Sequence, residues 1–212
     1  MKIGILGSGN VAQTLALGFL KHGHSVQVGS RDPSKLKAWK DKDAPAATLG
    51  SFKETAAAAE VIVLAVKGTA AASALEMAGA EALAGKVVID TTNPIADAPP
   101  TNGIITYFTG PNDSLMERLQ KQFPGAHFVK AFNSVGAALM VNPALDGRPS
   151  MFIGGNDAAA KKVVTDILTS FGWATEDVGG VEAARAIEPL CQLWCAPGFL
   201  RGDWRHAFKM IR

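Results

Sequence analysis

Lys2-Ile3-Gly4-Ile5-Leu6-Gly7-Ser8-Gly9-Asn10-Val11-Ala12 opens the chain with an apolar burst, a glycine-rich turn and the start of a helical pattern. The turn has the form G-x-G-x-x-A, directly after a predicted strand Lys2–Leu6 and directly before a predicted helix Asn10–His22. In such a turn Gly7 takes the tight bend, and Gly9, without a Cβ, lets the backbone come close to a pyrophosphate. Ala12 permits close packing of helix on strand. The free N–H groups where the helix begins, near Asn10 and Val11 and flanked by Ser8, form a ready anion site. An ordinary βα turn can carry glycines too. Nucleotide binding is favoured because the next strand-like burst, Ser25–Val28, follows one helix length later.

Outward from this turn, apolar bursts alternate with longer patterned segments, which reads as an α/β fold with a mainly parallel sheet. The remaining predicted strands are Val61–Val66, Lys86–Asp90, His127–Phe132, Ser150–Ile153 and Ala174–Val178, with Ala46–Leu49 a weaker candidate. Most are β-branched and polar only at their ends, as strands covered on both faces must be. Helices are predicted from a Ser51 N-cap with Glu54 in capping-box position, and over Asp113–Gln122, Asp157–Phe171 and Val181–Trp194. Two Pro- and Gly-rich stretches interrupt the pattern, Asn93–Asn112 and Asn142–Pro149. The first is a long excursion of the kind more often functional than accidental. The second divides a Rossmann-like dinucleotide-binding domain, residues 1–145, from a small C-terminal αβ domain, residues 146–212, expected to complete an acceptor cleft.

Composition narrows the class. Lys and Arg number 21 against 19 Asp and Glu, a formal charge of +2, which lacks the cationic excess of nucleic-acid binders. Hydrophobic residues at 48% supply a substantial core, and no apolar run approaches the length needed to cross a bilayer. The 2 cysteines exclude a disulfide scaffold and fit a reducing compartment. With no cleavage-type leader before the glycine turn, the expected location is cytoplasmic, with no membrane partner.

The end of the second strand reads the cofactor. NAD-binding chains place a carboxylate there for the ribose hydroxyls. Here the strand ends Val28-Gly29-Ser30-Arg31, a hydroxyl and a planar cationic fork suited to a 2′-phosphate. Asp32-Pro33 reads as an N-cap and first helical residue, which gives that carboxylate a structural task. Lys35 adds charge, and NADP(H) is the expected cofactor.

Ligands of open α/β sheets bind beyond the carboxyl ends of the strands. The strand ends supply the other expected cofactor contacts: Ala65, Val66 and Lys67, then Thr92 and Asn93, then Ala131 and Asn133. Asn133 and Ser134 are the residues expected nearest the chemistry, although Asn in a loop can simply tie down its own turn. None of His22, His24, His127 and His206 joins a Ser/His/Asp or acid–base constellation. No metal site is expected, and Cys191 and Cys195, four residues apart, read as buried structural thiols. Hydride transfer between ring systems needs orientation and electrostatics more than a protein acid or base.

These residues carry a resemblance. The glycine turn, Gly29-Ser30-Arg31-Asp32-Pro33 and Val88-Ile89-Asp90-Thr91-Thr92-Asn93-Pro94 occur in order, followed by Val129-Lys130-Ala131-Phe132-Asn133-Ser134. Phe152-Ile153-Gly154-Gly155-Asn156-Asp157 and Ala183-Ala184-Arg185-Ala186-Ile187-Glu188-Pro189-Leu190 complete the set. The chain resembles the NADPH-dependent oxidoreductases that exchange hydride with the deazaflavin coenzyme F420, and also the NADPH domain of STEAP-type metalloreductases. The resemblance implies contacts from Ser8, Asn10, Ser30 and Arg31 to NADPH, a flavin or deazaflavin in the cleft, the Asn133 turn at the nicotinamide end, and a homodimer. Archaeal deazaflavin reductases tend to carry His where this chain has Asn133, and flavin-type relatives Asn, so the acceptor stays open among flavin, deazaflavin and a small organic molecule. The alternatives are a non-catalytic NADP(H)-sensing protein and a pyrroline-carboxylate-reductase-like enzyme, the latter usually built with a longer helical C-terminal domain. The basic, aromatic stretch Gly198–Arg212 reads either as a contact helix or as an end packed on its own domain or dimer mate.

Overall fold

The computed structural model describes residues 1–212. The glycine turn joins β1 (Lys2–Leu6) to α1 (Asn10–Lys21). Beside β1 lie β2 (Ser25–Gly29), β3 (Thr48–Gly50), β4 (Val61–Leu64), β5 (Val87–Asp90) and β6 (His127–Lys130). Their order is β3-β2-β1-β4-β5-β6 and every pair is parallel. The progression reverses between β1 and β4, which opens a crevice beyond their carboxyl ends in the Rossmann manner.

Burial on both faces explains the continuous apolar runs. In β4 the side chains of Val61 and Val63 join Ile3, Ile5 and the α1 residues Leu15 and Phe19 on one face. Ile62 and Leu64 join Leu6, Val88 and Phe128 on the other. That second face is covered by α3 (Phe52–Ala58), α4 (Ala71–Ala78), α5 (Ala80–Leu83) and α6 (Leu115–Gln122), whereas α2 (Lys37–Asp43) follows β2 through a tight turn at Pro33–Leu36. The Ser51 capping box forms: the Ser51 hydroxyl accepts from Glu54 N–H at 3.2 Å, and Glu54 Oε2 accepts from Ser51 N–H at 2.8 Å. Such a cap contributes about 1 kcal/mol to its helix.

After residue 149 the chain forms a second parallel pair, β7 (Ser150–Ile153) and β8 (Ala174–Asp177), joined by α7 (Ala158–Ser170). Met151, Ile153, Val164, Ile167, Phe171 and Trp173 bury in the same cluster as Ile3 and Ile89, so this segment covers one face of the large sheet. The predicted helix Val181–Trp194 divides into a 3-10 turn at Val181–Ala183, α8 (Ala184–Ile187) and α9 (Pro189–Arg201). Pro189 stands in the first turn of α9, where its missing N–H has no bond to lose. The excursion after β5 is held by short bridges, Ile95 to Tyr107 and Thr101 to Ile104. It rests on α9: the Tyr107 hydroxyl donates to the Glu188 carbonyl at 2.7 Å and Gln192 Nε2 to the Ile105 carbonyl at 2.7 Å.

Beyond Gly202 the chain leaves helical geometry and runs back along its own surface. Ser150 N–H donates to the Phe208 carbonyl at 2.9 Å and Trp194 Nε1 to the His206 carbonyl at 2.8 Å. Within Gly198–Arg212, His206 and Phe208 thus bond to their own chain. No helix is long and apolar enough to cross a membrane.

Candidate functional site

The crevice at the β1–β4 reversal encloses about 810 Å³. Its floor is the glycine turn. Gly7 sits at φ +143°, and a Cβ there would lie 2.1 Å from the Ala65 carbonyl oxygen, so the turns after β1 and β4 meet only because Gly7 has no side chain. A Cβ on Gly9 would meet no atom within 4 Å and would project into open space. No side chain caps α1, and the amides of Asn10, Val11 and Ala12 have no acceptor within the protein. Open donors at a positive helix end facing a cavity are what a pyrophosphate requires.

Ser30, Arg31 and Lys35 line the far end of the same crevice. Asp32 faces its own turn: its Oδ1 accepts from Ser34 N–H at 3.2 Å and the Ser34 hydroxyl at 2.5 Å. The Ser34 hydroxyl, with Lys35 nearby, holds the Asp32 carboxyl below the usual carboxylate range. The Ser30 hydroxyl accepts from Asp32 N–H at 3.2 Å and stays at the cavity wall. Arg31 is exposed and pairs with no carboxylate. The acid that would choose NAD is thus occupied, and the cation that would choose NADP is free.

Ala65, Val66 and Lys67 form the opposite wall. From there a smaller cavity of about 230 Å³ continues past Thr91, Thr92 and Asn93. The Lys67 ammonium and the Asp97 carboxylate approach to 3.3 Å across its rim. Ala131, Asn133 and Ser134 are buried and line neither cavity. The two asparagines tie the strand ends to one another: Asn93 Nδ2 donates to the Asn133 carbonyl at 2.8 Å, and Asn133 Nδ2 to Asn93 Oδ1 at 3.1 Å. Asn133 Nδ2 also donates to the Ile187 carbonyl at 2.9 Å, while its buried Oδ1 has no partner in the protein. The fully buried Phe132 sits at φ +62°, a left-handed conformation that redirects the chain just before Asn133.

Sequence reasoning missed three charges. Lys130 Nζ lies 2.6 Å from Asp90 Oδ2 and 2.9 Å from Glu188 Oε1, all three side chains being buried. Burial opposes the Lys130 charge, but Asp90 and Glu188 outweigh it and hold its pKa above the ordinary lysine value. The available signal was a charge closing each of two strands buried on both faces, which has to be paired. Also missed were the wall residues Phe52 of α3 and Ser73 and Met77 of α4, which carry no motif. Cys191 and Cys195 are free thiols 3.9 Å apart on α9.

Comparison with known proteins agrees with this geometry. A family model described as NADP oxidoreductase coenzyme F420-dependent matches residues 2–94, the segment from β1 through β5. The crystal structure of a proposed F420-dependent NADP-reductase from Arthrobacter sp. FB24 is 38% identical with a TM-score of 0.93, and 100% of each chain is covered. Metalloreductase STEAP3 of Rattus norvegicus is 33% identical over 191 residues, 89% of this chain and 36% of that protein. The F420-dependent NADP reductase of Methanocaldococcus jannaschii is 28% identical over 204 residues, 91% of this chain and 90% of that protein. The chain spans little more than a third of the metalloreductases it matches, at 36% and 37% of their lengths. Strand order, phosphate turn and full-length likeness converge: the chain belongs to the coenzyme F420-dependent NADP oxidoreductase family.

Proposed function

We propose that the chain moves hydride between NADP(H) in the large crevice and a flavin, a deazaflavin or a small organic acceptor beside the ends of β4 and β5. The observation that carries this reading is the pair Arg31 and Asp32, one free at the crevice mouth and the other bound to Ser34. NADPH, when bound, supplies the hydride at its nicotinamide ring. The amides of Asn10 and Val11 hold the pyrophosphate, and Ser30, Arg31 and Lys35 hold the 2′-phosphate. Ala65, Val66 and Lys67 flank the middle of the cofactor. Thr92 and Asn93 form the turn against which the nicotinamide end rests, and Asn133 holds that turn from behind through its bonds with Asn93.

Residues 146–212 close the acceptor side, held there in part by the Asn133 bond to Ile187. Alignment and exclusion of water are the work left to the protein, since an extended ring system accepts hydride without a side-chain acid. A second copy of the chain is the proposed partner, covering Leu193 and Leu200 of α9, which are 60% and 58% exposed.

Anaerobic stopped-flow mixing of the NADPH-loaded protein with FMN, FAD and coenzyme F420 tests the reaction. Rapid loss of NADPH absorbance with one acceptor is expected. No oxidation with any of them overturns transfer to a flavin or deazaflavin, and no oxidation with small carbonyl and imine acceptors as well overturns the hydride-transfer reading and favours an NADP(H)-sensing protein.

A further inference from the structure

Asp90, Lys130 and Glu188 touch no part of the proposed crevice, yet they are 0%, 0% and 1% exposed. Burying ions is favourable only where geometry and hydrogen bonds repay the loss of water. Here the partners are in place. Lys130 Nζ, besides its two carboxylates, donates to the Thr92 carbonyl at 2.9 Å. Asp90 Oδ1 accepts from Thr92 N–H at 2.9 Å and from the Thr92 hydroxyl at 2.7 Å. The Glu188 carboxylate accepts from the amides of Leu115 and Met116 at 2.9 and 3.0 Å, in the first turn of α6. One cation faces two carboxylates, and the positive end of α6 meets the surplus.

Location gives the cluster its meaning. Thr92 belongs to the wall of the smaller cavity and is gripped from two sides, by Asp90 and by Lys130. Glu188 lies between α8 and α9, beside Ile187, whose carbonyl accepts from Asn133. Its own carbonyl accepts from Tyr107 of the excursion. The three charges therefore connect the cavity wall, α6 and the C-terminal helices, and the Glu188 main chain adds the excursion.

We infer that Lys130 and Glu188 are positioning residues: they hold the Thr91–Asn93 turn and the C-terminal helices in one arrangement around the nicotinamide end without touching cofactor or acceptor. The adenosine end, at Ser30 and Arg31, lies outside their reach. This rests on the NADP(H) crevice proposed above, so the test uses two ligands that separate the two claims. Adenosine 2′,5′-bisphosphate reports the adenosine end alone, and NADPH reports both ends.

Glu188→Gln leaves Lys130 paired with Asp90 while weakening the tie to α6. Thr92→Val disturbs the same turn without altering a charge. For both variants the Kd of adenosine 2′,5′-bisphosphate is expected to stay within about twofold of the unsubstituted chain, while NADPH binds about tenfold more weakly. The fluorescence of bound nicotinamide is expected to fall toward that of free NADPH. Equal weakening of both ligands reveals a merely structural cluster and overturns the inference, as does no change in either. An unsubstituted chain that binds neither ligand overturns the crevice reading and the inference with it.

Discussion

At the β1–β2 end of the crevice the polar groups face outward, whereas at the β5–β6 end they face one another. The first end offers the open amides of α1, the exposed Arg31 and the empty space beside Gly9. The second binds Asn93 to Asn133, Asn133 to Ile187, and Lys130 to Asp90, Glu188 and Thr92. An end built of unsatisfied donors can gain affinity from a ligand. An end whose donors are already engaged can only hold a shape. Cofactor choice therefore belongs to the first end and alignment to the second, and substitutions should separate stability from binding accordingly.

The largest effect is expected at the inward-facing end. Lys130→Met leaves Asp90 and Glu188 buried without their cation, which costs about 3–5 kcal/mol and is read from urea unfolding. A loss below about 1 kcal/mol would erase the contrast between the ends. The pH dependence has a definite sign. Because burial opposes the Lys130 charge but its carboxylates raise the native pKa overall, the stabilisation is fully present below the ordinary lysine value of about 10.4. It is lost only as pH rises through the higher native value. Urea midpoints should show no Lys130 contribution to pH dependence from neutral pH up to about 10.4, and the contribution should then shrink as pH climbs toward the native value.

Gly7 and Gly9 make a sharper pair because they share one turn. Gly7→Ala drives a Cβ into the Ala65 carbonyl from a left-handed backbone and is expected to destabilise folding by about 2–4 kcal/mol. Gly9→Ala meets no protein atom, so its folding cost stays below about 1 kcal/mol while NADPH affinity falls about tenfold or more. Thermal unfolding together with fluorescence titration reads both. Equal behaviour of the two variants would mean that Gly9 does not face the phosphates.

Arg31→Ala acts at the outward-facing end. Its charge-assisted contact is worth about 1.5–3 kcal/mol, so NADPH binding should weaken roughly 10- to 150-fold while NADH binding and folding barely change. An equal loss for both nucleotides removes Arg31 as the 2′-phosphate reader. The smallest effect concerns Glu117, whose carboxyl is held below its usual range chiefly by the hydrogen bond from Arg185. Its stabilisation is present above the ordinary carboxylate value of about 4.3 and disappears as pH falls through the lower native value. Glu117→Gln should flatten that part of an acid unfolding curve.

Local chemistry was legible in the sequence, and long-range pairing was not. The G-x-G-x-x-A turn, the Ser51 capping box and the Asp32-Pro33 start all depend on residues a few places apart, and each forms. The apolar bursts disclosed the strands because burial on both faces leaves no room for polar residues in their middles. The helices α4 and α5 escaped notice because the Ala-rich stretch from Ala70 to Leu83 has little polar contrast and no polar cap. The extension of α9 to Arg201 escaped because Pro197 argues locally for a stop. Packing overrides it, with Trp204 pressed so closely on Gly198 that a Cβ there would lie 2.3 Å from the ring. Lys130, Asp90 and Glu188 are far apart in sequence, and no spacing rule announces that they meet. Their order along β5, β6 and the C-terminal helices becomes visible only once the sheet is assembled.

The tail that runs back over β7 has a colloidal consequence. Ser150 donates its N–H to the Phe208 carbonyl at 2.9 Å and its hydroxyl accepts from the Met210 N–H at 3.1 Å, so the start of the open margin of the small sheet is covered by the chain itself. An uncovered strand margin is a template on which sheets grow from molecule to molecule. Removing residues 203–212 should leave the crevice able to bind NADPH but make light scattering climb with time and protein concentration. Peptides copying those residues, added in excess, should slow that climb by occupying the bared margin.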